Sequence, residues 1–442
     1  MQNAAAVGLA AGADRRVSVR VLVGGALAGW AGLIVGAHLW GNALNDAGVR
    51  ILLGAPPLFG QWDLDLGPGV LPAVGVAAAV TLLAPSLAAT LRWRPLLGTA
   101  AMAALTWAVA LALTEGPDGI HVPLQGPSDY LASVPAVGSP GEFLSTFTDR
   151  IDGYATHVRS HPPGMVLALW GLGELGLGGS WPAAVLILLI AASAVPAVLI
   201  ATRAVAGESV ARRAAPFVVL APGAVWIATT ADALFMGVGA WAVALTILSI
   251  KARGARADLL AAGGGIVFGL AIFLSAGLAL LAAIPLGVAA AAGRLRPLAV
   301  TALGAGSVVL AFAAAGYWWF DGFAAIREQY AGSVASTRPY DFFLLANLAA
   351  FALAAGPATA AGLALLRHRA TWLLVGGALV AVLLADLSGM SKAEVERIWL
   401  PFLPWVLIAA VALPRGRRVR RAALGAQAGL AIAIQVGVAM IW

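Results

Sequence analysis

Runs of about 20 apolar residues recur from Val19 to Trp442, and they constrain this chain more than any other feature does. A helix of about 20 residues rises ~30 Å, the depth of a bilayer's hydrocarbon. Inside hydrocarbon every backbone N–H and C=O needs a partner within the chain, so such runs fold as spanning helices. Composition excludes the soluble alternative. Of 442 residues, 61% are hydrophobic and 11% charged, and the mean hydropathy is +0.92. The expected fold is therefore all-α, a polytopic transmembrane helical bundle of about thirteen spans with partly helical outer loops.

The spans are expected near residues 19–39, 67–91, 97–114, 163–203, 213–229, 231–250, 258–273, 275–292, 297–316, 342–366, 371–387, 398–413 and 421–441. The stretch 163–203 holds two apolar runs where orientation allows one net crossing, so its first, Gly-rich half is expected as a partial or re-entrant helix. Basic residues sort to one side: Arg15, Arg16 and Arg20, Arg92 and Arg94, Arg203, Arg212 and Arg213, Lys251, Arg253 and Arg256, Arg294 and Arg296, Arg367 and Arg369, and the run from Arg415 to Arg421. Short basic loops face the cytoplasm. The same distribution explains the net charge of +7 without a nucleic-acid partner. The first apolar run is too long for a signal-peptide core, so that helix is expected to be retained. No cysteine is present, which removes disulfides, thiolate metal sites and cysteine nucleophiles.

The opposite face carries the longer, more acidic loops 40–66, 115–162, 317–341 and 386–397, and chemistry is expected there. Loop 115–162 holds Glu115, Asp118, Asp129, Glu142, Asp149 and Asp152, with His121, His157 and His161, three of the chain's five histidines. Carboxylates beside a membrane can act as general bases for a hydroxyl nucleophile or as ligands for a hard cation; most also simply solvate a loop. Pro162 and Pro163 start a helix and bias His161 toward extended backbone, which argues against a metal site made by His157 and His161 alone.

A second constellation runs from Ser388 to Trp405, with Lys392, Glu394, Glu396 and Arg397 ahead of Pro401 and Pro404. Its tryptophans and charges suit an interfacial anchor. Equally, Arg397, aided by Lys392, suits a lipid phosphate, because a guanidinium offers paired donors to phosphate oxygens. Asp232, at a turn between two spans, is a helix cap or a site residue. Loop 317–341 mixes aromatics with Arg327 and Arg338, a surface for sugar or phosphate or an aromatic belt. No GxxxxGK[ST], HExxH or GxSxG motif occurs, which disfavours an ATPase; no cofactor is indicated with certainty, and a divalent cation is possible.

In this order, the helix 97–114, Asp129-Tyr130 in the following loop, His161-Pro162-Pro163, Asp232, and Glu396-Arg397 before a Pro-rich helix resemble the GT-C superfamily, multi-spanning glycosyltransferases that use polyprenyl-phosphate-linked sugars. The resemblance covers roughly 97–413 through short, degenerate motifs. It implies an inverting transfer, at the extracytoplasmic face of the cell membrane, to an envelope glycan, lipid or protein, as in the cell-wall arabinosyl- and mannosyltransferases of actinobacteria. By resemblance Asp129 is the general base, His161 lies near the donor phosphate and Arg397 holds it, with Lys392, Glu396 and Arg338 as further phosphate candidates and Tyr130, His157 and Asp232 as outer-face candidates. Relatives often carry a paired acid where Tyr130 follows Asp129, so Asp118, Asp149 and Asp152 remain candidate bases. The implied division is an N-terminal segment with two extra spans (1–91), a GT-C-like core (92–413) and a basic loop with a final span (414–442). The rival reading from another class is a transporter or flippase for a lipid-linked or small polar solute, whose mark would be a binding site built by broken helices at mid-membrane.

Overall fold

The computed structural model describes residues 2–440, with side chains from Ser18 onward. Arg15 and Arg16, assigned above to the basic side, lie outside the described side chains, and the end of the last expected span lies outside the described residues.

The protein is a helical membrane protein. Its longer helices are α1 (Gln2–Asp46), α2 (Val70–Thr90), α3 (Trp93–Ala112), α4 (Gly164–Glu174), α5 (Ser180–Ala206), α6 (Glu208–Val219), α7 (Ala231–Lys251), α8 (Gly254–Leu274), α9 (Ala276–Ala292), α10 (Arg296–Ala314), α11 (Trp319–Ala331), α12 (Tyr340–Ala355), α13 (Pro357–Leu365), α14 (Arg369–Leu387), α15 (Leu403–Ala412) and α16 (Arg417–Gly437). Among the described residues eight helices are long and apolar enough to cross a bilayer, and nine if α12 and α13, bent by 97° at Gly356, count as one span. The remaining expected spans are short or irregular. Helix α4, at 11 residues, rises only ~16 Å. Segment 213–229 is the end of α6, a break at Leu220 and a 3-10 turn over Pro222–Trp226. Helix α16 reaches spanning length, but its first turns carry Arg417, Arg418, Arg420 and Arg421.

The helices share two ends. At one, Arg203 and Arg212 both pair with Glu208, and Arg212 donates to the Ala88 and Leu91 carbonyls. There too Arg213 donates to the Val411 and Leu413 carbonyls and Arg294 to that of Ile250. At the other end Ser180, which opens α5, bonds His121 and Gln125 of loop 115–162. Gln435, near the end of α16, donates to Glu115. Gly60–Trp62 pairs antiparallel with Val438–Met440, tying loop 40–66 to that same end. Helix α4 starts and finishes there, between His161 and Ser180, so one net crossing follows, made by α5.

Helix α7 is the centre of the bundle, with most of its residues buried, whereas α1 and α10 are largely uncovered on their apolar faces. Small residues let the central backbones meet: a Cβ on Gly237 would stand 2.1 Å from the Ile190 carbonyl of α5. One continuous hydrophobic core runs through α2 to α16. A second, smaller one joins Ala37 of α1, Ile51 and Leu53, Phe342 and Phe343 of α12, and Ala393.

Candidate functional site

Asp232 sits in the first turn of α7, where a carboxylate faces the free N–H groups of the helix start. The hydrophobic packing of α7 buries it to 3% exposure, and a bare carboxylate there would be costly. Arg397 supplies the counter-charge: its Nη1 stands 2.7 Å from Asp232 Oδ2. Arg397 reaches this point from a short helical turn, Val395–Ile398, preceded by two residues in left-handed backbone, Ala393 (φ 75) and Glu394 (φ 60). Neither is glycine, so the turn stores strain of the kind that concentrates at functional sites. It also brings the Glu394 carboxylate against Arg397 Nη2.

The same guanidinium meets loop 115–162. Arg397 Nη2 lies 3.3 Å from His157 Nε2, and His157 Nδ1 lies 3.4 Å from Asp129 Oδ2. Because Arg397 can only donate, His157 Nε2 must accept, which places the imidazole proton on Nδ1, toward Asp129. The other Asp129 oxygen accepts from the Tyr130 N–H at 2.6 Å and caps the 3-10 turn Tyr130–Ala136. His157 is set by the turn Thr156–Arg159, whose start is fixed by its own N–H donating to Ser128 O at 2.9 Å. Thr229 Oγ1 donates to Ile120 O at 2.7 Å and closes the loop onto the turn before α7. Asp129, His157, Arg397, Asp232 and Glu394 thus form one chain of contacts, containing three carboxylates and one guanidinium.

His161 and Tyr130 pack beside it. His161 Nδ1 donates to the His157 carbonyl at 2.9 Å, and its ring lies against Tyr130 and Phe235. Burial lowers the His161 pKa, against the raising effect of Asp232, and keeps the ring neutral. Burial, reinforced by Asp232 and Asp129, likewise raises that of Tyr130, which stays a phenol. Asp129, Tyr130, His157, Thr229, Thr230 and Arg397 line a cleft of about 10 Å³, room for a single water.

Other expected residues stand elsewhere. Asp149 is exposed. Asp152, also exposed, accepts from Gln329 Nε2 at 2.6 Å, so neither acid joins the Asp129 cluster. Lys392 Nζ donates to the Ser336 and Arg338 carbonyls at 2.9 Å, and Arg338 donates back to the Lys392 carbonyl. These two cations cross-link loops 317–341 and 386–397, and Arg338 also feels the charge of Glu394. Glu396 points away: it is fully buried and accepts the Phe59 N–H at 2.8 Å. Burial pushes its carboxyl up to about 7, although the Phe59 bond acts the other way. Glu394 was not among the residues expected at the site. The sequence marks it only as one of four charges between Ser388 and Trp405, because its position against Arg397 depends on the left-handed turn. Among the described residues no three His, Asp or Glu side chains stand together as a metal ligand set.

No known family's model matches the chain, and no curated protein is significantly similar to it.

Proposed function

We propose that the chain is a membrane glycosyltransferase of the GT-C type, which moves a sugar from a polyprenyl-phosphate donor to an envelope glycan, lipid or protein acceptor at the extracytoplasmic face. The observation that carries this reading is the junction of Asp129, His157, Arg397 and Asp232 at the end of the bundle opposite the arginine-rich loops. A polyprenyl-phosphate head group is reached only at such a boundary. In the reaction, Asp129 takes the proton of the acceptor hydroxyl while that oxygen attacks the anomeric carbon. The bond from that carbon to the phosphate oxygen breaks, and the phosphate leaves with the electron pair. Arg397 stabilises the departing phosphate, as a cation placed where charge develops does most for rate. His157 holds Asp129 and Arg397 at a set separation.

Glu394 gives the resting site its closed form. Its carboxylate pairs with Arg397, the place an anionic phosphate would take. Binding of the donor then exchanges one anion for another, in a cleft that as it stands has room for only one water.

The test is transfer of labelled sugar from synthetic polyprenyl-phosphate sugars in proteoliposomes. Asp129→Asn is expected to lower turnover by roughly 10²–10⁴ without loss of folded protein, with Asp149→Asn and Asp152→Asn near wild type. Asp129→Asn at full rate, or no transfer by the wild type from any such donor, removes the reading.

A transporter or flippase is the second reading, favoured by the break between α12 and α13. Gln427, halfway along α16, accepts from the Ala358 N–H at 3.1 Å and donates to the Ala355 carbonyl at 2.9 Å. A helix interrupted at this depth is a device transporters use. Here one buried side chain fills it. Protein-dependent solute or lipid-linked sugar movement across vesicles without transfer would favour that reading.

A further inference from the structure

At the basic end of the bundle, α2, α6 and α16 enclose a groove of about 400 Å³, lined by Pro85, Ala88, Arg212, Arg213, Phe217 and Arg420. Three helices separate it from the Asp129 cluster: α3, α5 and α16 each run from the groove end to the end that holds Glu115 and His121. Helix α5 alone, at 27 residues, rises ~40 Å. The groove therefore belongs to neither the cluster nor its loops.

Its charges do not balance. The one acid in the lining, Glu208, is taken up by Arg203 at 2.8 Å and Arg212 at 2.7 Å. Arg213 turns one nitrogen to the Val411 and Leu413 carbonyls and stands within repulsive reach of Arg415 and Arg420. Arg420 Nε is buried and has no hydrogen-bond partner. A buried guanidinium nitrogen with nothing to donate to, beside like charges, is a site short of an anion.

The groove does not end at the arginines. Past Ala88 and Pro216, which belong to both, it continues as an apolar cleft of about 140 Å³ between α2, α3 and α6, walled by Leu83, Leu87, Ala100 and Ala103. An inorganic anion has no use for such a cleft, and a neutral lipid none for the arginines. We infer that groove and cleft together bind one anionic phospholipid of the leaflet at the basic end, its phosphodiester on Arg213 and Arg420 and one acyl chain in the cleft. Basic pockets between helices at a membrane's cytoplasmic side take anionic head groups for the same reason. This site stands whether or not the chain transfers sugars.

Native mass spectrometry of the full chain in detergent, with phosphatidylglycerol and phosphatidylcholine added in turn, tests it. One phosphatidylglycerol is expected to be retained at least about tenfold more tightly than phosphatidylcholine. Arg420→Gln, which breaks no described bond, should cost about fivefold of that preference, the contribution of one arginine near a charged lipid. The exposed Arg256→Gln should cost nothing. Ala103→Phe fills the cleft and should weaken phosphatidylglycerol; Leu83→Gln, at an exposed position of the cleft, does the same if Ala103→Phe folds poorly. Equal retention of the two lipids, or equal loss with Arg256→Gln, overturns the proposal. So does displacement of the lipid by millimolar inorganic phosphate with both cleft variants silent, which would leave a free-anion site.

Discussion

His157 acts as a bridge because an imidazole offers two unlike nitrogens: Nδ1 faces Asp129 and Nε2 faces Arg397. Arg397 in turn is shared between Asp232 and Glu394. Truncating Arg397 would strand the buried Asp232, a loss on the order of 3–5 kcal/mol, and lost activity alone would then report misfolding. Glu394→Gln is the cleaner probe, since Glu394 is partly exposed and Arg397 keeps Asp232. If Glu394 occupies the phosphate position, Glu394→Gln should tighten inhibition by a polyprenyl phosphate several-fold, about 1 kcal/mol; an unchanged inhibition constant rejects that role. Glu396 makes a different prediction. Its folded pKa of about 7 exceeds the value of 4.5 in the unfolded chain, so the folded state holds the proton more tightly. The resulting stability is complete below about pH 4.5 and is lost as pH rises through 7, on the order of 3 kcal/mol in all. Thermal unfolding in detergent between pH 5 and 8 should show this fall, and Glu396→Gln should flatten it. An identical slope in the variant assigns the pH dependence to another group.

Elements that pass for single spans in a hydropathy profile are in several cases broken. Residues 342–366 read as one apolar run, yet the chain turns by 97° at Gly356. The turn needs φ 76 there, and a Cβ would meet Gln427 Oε1 at 2.1 Å. Gly356→Val should therefore lower the melting temperature markedly, through both the backbone strain and the displaced Gln427 amide. Gln427→Leu, which leaves the Ala358 N–H without its acceptor in an apolar surrounding while the Ala355 carbonyl keeps the Thr359 hydroxyl, should cost about 1–3 kcal/mol. A Gly356→Val protein that melts with the wild type would show that the break is not wedged by Gln427. The profile also fuses α6 to the turn before α7, where the irregular Leu220–Thr230 segment places Thr229 under Ile120. Apolarity varies smoothly across such breaks, so the hints that remain are local: Gly356-Pro357, Pro222-Gly223 and a buried amide such as Gln427.

For the whole molecule, the separation of basic loops from the Asp129 cluster has a direct consequence for orientation. With no cysteine in the chain, single cysteines can be placed at exposed positions 118 and 418 and probed in sealed cells with an impermeant thiol reagent. Asp118→Cys should label from outside and Arg418→Cys only after permeabilisation. Labelling of position 418 in intact cells would invert the molecule and place the Asp129 cluster in the cytoplasm. The pairing of Gly60–Trp62 with Val438–Met440 ties the first loop to the last helix, so the ends of the chain brace the face that holds the cluster.

The helical membrane class was legible in the sequence, because hydrocarbon imposes its demand on every stretch of about 20 residues separately. So was the segregation of arginines, and Asp232 and Arg397 stand out as costly polar residues at the ends of apolar runs, whereas Asp129 and His157 were two among several acids and histidines of loop 115–162. Their union was not. Arg397 lies 165 residues from Asp232 and 240 from His157, and no periodicity spans such gaps. Tertiary structure alone decided that Asp129, and neither Asp149 nor Asp152, reaches Arg397 through His157, and that Glu396 turns to Phe59 while Glu394 turns to Arg397. The physical reason is the same in each case. Hydropathy sets where the chain runs, whereas the pairing of buried charges depends on which helix ends the packing of α5, α7 and the loops brings within 3–4 Å of one another.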